Sequence, residues 1–83
     1  MSKFLVIGTG ILDVDEISNC LIDSERYSEG KLLIVNFKNN SESVEFYIDS
    51  RVNQVIIAEI LCIAKRLEEN TFITWDEAIS QII

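Results

Sequence analysis

Apolar and polar residues alternate in twos over much of the first half of the chain. Residues 3–7 (KFLVI) are β-prone. In residues 11–22 (ILDVDEISNCLI), Leu12 and Val14 alternate with Asp13 and Asp15 until the phase breaks near Ile17. A strand or a pair of strands is expected there. The polar stretch DSERYSEG, residues 23–30, ends in Gly30 and reads as a loop. Two clearer strands follow. KLLIVNFK places Leu33, Val35 and Phe37 on one face, and SVEFYID sets Val44, Phe46 and Ile48 against Glu45, Tyr47 and Asp49. NNSE between them supplies turn residues, so the two form a hairpin with one buried face. Leu32 and Ile34 make the first of these strands apolar on its other face too, which predicts a central position.

The period then changes. Ser50 or Asp49 can cap a helix beginning near Arg51 and running to Glu69. Within it Ile57, Ile60, Leu61 and Ala64 gather on one side, while Val55, Ile56, Cys62 and Ile63 flank Glu59 on the other. A helix apolar almost all round is expected to be covered on both sides, by the C-terminal helix or by another chain. TWDE at residues 74–77 is a capping box, and Trp75, Ala78, Ile79 and Ile82 form the docking stripe of a short second helix. Strands first and helices last predict one α+β domain over residues 1–83. Its expected form is a small antiparallel sheet of three or four strands, then a long helix and a short C-terminal helix packed on one face.

GTG at residues 8–10 raises the possibility of a nucleotide, and its context rejects it. A dinucleotide fingerprint needs a third glycine where Asp13 stands, followed by a helix whose N-terminus meets the phosphates. Asp13, Asp15 and Glu16 would instead surround that phosphate with carboxylates, so a glycine turn between two strands is the expectation. DVDE clusters oxygen ligands but lacks the number and the internal glycine of a calcium loop. There is no histidine, and no serine or cysteine has a base at telling distance, so neither a metal, a cofactor nor catalysis is expected.

Fourteen acidic residues against seven basic ones give a net charge of -7, which opposes direct binding to nucleic acid. Cys20 and Cys62 lie among apolar neighbours and read as reduced core thiols. With neither a signal peptide nor a membrane span in the sequence, they point to the cytoplasm. What remains is a non-enzymatic module that binds another protein. Its contact residues are expected among Asp13, Asp15, Glu16, Asp23, Glu25, Glu29, Glu45 and Tyr47. In length and charge the chain resembles small acidic phage-encoded inhibitors, some anti-CRISPR proteins among them. That resemblance implies carboxylates competing with nucleic acid for a basic target. The alternatives are a homodimer or larger homo-oligomer with Ile56, Glu59 and Ile63 at its seam, and a protein that sequesters a small ligand.

Overall fold

The computed structural model describes residues 3–23, 30–39 and 42–83. Its first hairpin is built on the two glycines. β1 (Phe4–Ile7) and β2 (Gly10–Asp13) pair antiparallel with Ile7 opposite Gly10, so Gly8 and Thr9 form a two-residue loop. Gly8 has a φ of 56°, the left-handed value that such a loop favours at its first position and that a Cβ would resist. Gly10 acts by close approach instead. A Cβ there would lie 2.9 Å from the ring of Phe46, so the bare backbone lets this hairpin rest against a later strand. The glycine turn expected from the sequence is present.

A 3-10 turn, Val14–Glu16, ends β2, with the Asp13 carboxylate accepting the Asp15 N–H at 3.1 Å. β3 (Ile17–Asp23), β4 (Lys31–Phe37) and β5 (Ser43–Ile48) then form an antiparallel sheet in that order, with β4 central as its two apolar faces predict. The register shifts between Ile17 and Asn19. The broken phase in the sequence therefore marks a tight turn followed by an irregularity in the ladder.

The α+β class holds, with two corrections to its plan. There are two three-stranded sheets rather than one, and a sixth strand, β6 (Phe72–Thr74), lies between the two helices in sequence. β6 runs parallel to β1, giving the order β2-β1-β6. Both sheets contribute to one core with the helices α1 (Gln54–Lys65) and α2 (Trp75–Ile82). Leu5 and Leu12 enter it from the first sheet, Leu33 and Val35 from the second, Ile57 and Ile60 from α1, and Trp75 from α2.

α1 is shorter than expected at both ends. Asp49 does not cap it, because that carboxylate accepts the Arg51 backbone N–H at 2.8 Å and its guanidinium at 3.1 and 2.9 Å. Ser50 is not the cap either. Asn53 is, accepting the Ile56 N–H at 3.0 Å. At the other end the chain leaves the helix after Lys65, and Asn70 adopts a φ of 66° before the strand that must reach β1. Asn53→Ala is expected to cost about 1 kcal/mol in a denaturant melt, while Ser50→Ala changes stability by less than about 0.5 kcal/mol.

Nor is α1 covered all round. Ile57, Ile60 and Ala64 are buried, whereas Val55, Ala58, Glu59 and Cys62 face solvent. The expectation of two buried thiols is therefore half right. Cys20 is buried, which pushes its thiol pKa up, and Cys62 is exposed. α2 keeps its predicted start, with Thr74 Oγ1 accepting the Glu77 N–H at 3.2 Å and donating to Glu77 Oε1 at 3.0 Å. This differs from the usual box, in which the glutamate accepts a backbone N–H of the cap residue.

Candidate interaction surface

Strand alternation gives the first sheet two different faces. Leu5, Ile7, Leu12 and Ile73 point into the core. Phe4, Val6, Ile11 and Phe72 point the other way. The register sets them in two rows: Asp13, Phe4 and Phe72 lie side by side, and Ile11, Val6 and Thr74 form the next. The four apolar side chains line a shallow groove of about 400 Å³, and no other described residue lines it. Ile11 is 70% and Phe72 63% exposed, values uncommon for large apolar side chains grouped on one face.

Carboxylates border this face. Asp13 lies in the row of Phe4 and Asp15 follows in the 3-10 turn, whereas Glu16 turns towards the second sheet, its Oε2 accepting the Asn39 side-chain amide at 3.4 Å. Val14, fully buried beneath α1, fixes that turn and leaves both acids exposed. Val14 also donates its N–H to the Lys3 carbonyl at 2.9 Å, tying the turn to the start of β1. Glu68 and Glu69 precede β6, and Asp76 follows it. One nearby cation is turned away from this face. Lys3 precedes Phe4, so it alternates to the core side, where its ammonium donates to the Lys65 carbonyl at the end of α1, 2.6 Å away.

The other residues expected at a contact surface are divided. Asp23 and Tyr47 stand on either side of Leu32 in the second sheet, and Glu45 stands opposite Ile34. These three share the outer face of that sheet, apart from Asp13, Asp15 and Glu16. Tyr47 is 74% exposed and also borders a groove of about 230 Å³ between residues 47–52 and α2. Asp49 and Arg51 line this groove as an ion pair, and hydrogen bonds from Arg51 hold the Asp49 carboxyl below its usual range. Glu25 and Glu29 lie outside the described residues. Of the expected seam, Ile56 and Ile63 are partly buried against the core and Glu59 is exposed.

No family model, curated protein or solved structure matches this chain. Its surface must therefore be read from its own chemistry. Among the described residues, no group of three or more histidine, cysteine, aspartate or glutamate side chains is placed to hold a metal ion. No helix among them is long and apolar enough to cross a membrane. Half of the apolar face could have been anticipated. FLVI is apolar at every position, and the same argument that makes β4 central gives β1 two apolar faces. Phe72 carried no such signal, because a three-residue strand between two helices leaves no alternation to read.

Proposed function

We propose that this chain is a non-enzymatic protein-binding module that docks a basic partner on the outer face of its first sheet. The observation that carries this reading is the open apolar face of Phe4, Val6, Ile11 and Phe72. Such a face costs solubility unless something covers it, and contiguous exposed apolar surface is characteristic of interaction sites. The carboxylates around it select the partner by charge, adding to association rate and specificity more than to affinity. In the same reading, the net charge of -7 lets the protein compete with nucleic acid for a basic target, as an inhibitor would.

A tagged pull-down from cell lysate tests this, with wild type beside Phe72→Ser. Lanes at low and high salt and with added DNA are read by mass spectrometry. The expected result is a basic protein retained by wild type at low salt, reduced by salt and by DNA, and lost from the variant. Equal retention by both proteins removes the first sheet from the interface. Retention indifferent to salt and DNA removes the competition with nucleic acid. Phe72 is largely exposed, so an unchanged thermal melt of the variant keeps the comparison clean.

A further inference from the structure

Building on that reading, we infer that the partner presents an amphipathic helix with basic residues, laid across the outer face of the first sheet. Three observations carry this: the dimensions of the face, the shortness of its edges, and its charge.

Three strands spaced about 4.8 Å apart give a face roughly 10 Å across, which matches the 10–12 Å diameter of a helix with its side chains. The apolar residues occupy two rows, two residues apart along β1. That spacing is about 7 Å, enough to meet the apolar stripe of one or two helical turns. An added strand is a poorer fit. The edges of this sheet are β2, with four residues, and β6, with three, so each offers few main-chain hydrogen bonds to an incoming chain.

A second copy of this chain is also a poor occupant. Each copy carries a net charge of -7, so two copies repel one another on approach. A groove lined by four residues is also small beside a stable dimer interface, which takes in about 20–30 residues of all kinds on each side. The complementary surface is therefore apolar at its centre and cationic at its border, and a helix carrying Leu and Lys on adjoining faces supplies both. Binding through so small a face is transient and weakened by salt.

The test uses three synthetic peptides of identical Leu and Lys composition, titrated into the intact protein and followed by isothermal titration calorimetry. One has helical spacing, one strict strand alternation, and one a scrambled order. The helical peptide is expected to bind most tightly at low salt and to lose about tenfold or more in affinity with Phe72→Ser, while the scrambled peptide is indifferent to that change. Tighter binding by the alternating peptide overturns the helix while leaving the protein-binding reading in place. Equal binding of all three peptides, or of the helical peptide to wild type and variant, overturns the inference as well. In either case the pull-down decides the broader reading separately.

Discussion

Trp75→Ala is expected to lower stability by about 3–5 kcal/mol, the range for truncating a buried aromatic residue. Trp75 is the first residue of α2, and its ring closes the middle of the core beside Leu5, Leu33, Ile57 and Ile60. These residues come from both sheets and from α1, so Trp75 borders a void shared by every layer of the fold. Only about 10 Å³ of void remains at that centre, and removing the ring would enlarge it where two sheets and a helix meet. At roughly 0.05–0.15 kcal/mol per residue, a chain of this size has on the order of 4–12 kcal/mol in total. The loss therefore takes a large part of the stability, and the melting temperature is expected to fall by roughly 15–30 °C. Trp75 is the only tryptophan, so the melt must be followed by far-ultraviolet circular dichroism rather than fluorescence. A drop of only a few degrees would show that α2 does not anchor the core.

A second large effect is expected from Leu33→Ala, about 2–5 kcal/mol, against less than about 1 kcal/mol for Val44→Ala. Both side chains belong to the buried face predicted for the hairpin, and both lie on the inner side of the second sheet. Their surroundings differ. Leu33 is on central β4 between Ile22 and Phe46, and is 1% exposed. Val44 is at the start of edge strand β5 and is 38% exposed, with burial increasing along the strand through Phe46 to Ile48. Urea midpoints measured on the two variants decide between these outcomes. Equal losses would mean that the open end of β5 is covered in solution.

The elements legible in the sequence were those whose signal is local. Alternation located β4 and β5, the apolar second face of β4 placed it centrally, and Thr74 announced the start of α2. The start of α1 was misplaced because three candidate caps lie within five residues. Asp49 was the wrong choice once Arg51 folded back onto it. The division into two sheets was not legible, since it depends on Phe72–Thr74 finding β1 across the whole chain. The apolar face was partly legible, because FLVI has no polar side, while the acidic border was visible only as charge without position. Cys62 shows the same limit. Apolar neighbours in a helix do not say which side of it faces solvent.

The pairing of β1 with β6 spans the whole of the second sheet and α1 in sequence. As the chain is synthesised, Phe4–Ile7 precedes its parallel neighbour by the residues of the second sheet and of α1. Until then the first sheet is a lone hairpin, an object of marginal persistence in water. The β3-β4-β5 meander has only nearby pairings to make and can form first, because contacts between sequence neighbours are reached sooner than distant ones. β6 ends at Thr74 and Trp75 follows at once, so the strand that completes the first sheet and the ring that enters the core are adjacent in the chain. Phe72 belongs to β6, so a chain in which that strand has opened from β1 loses part of its outer apolar face together with the neighbouring core anchor.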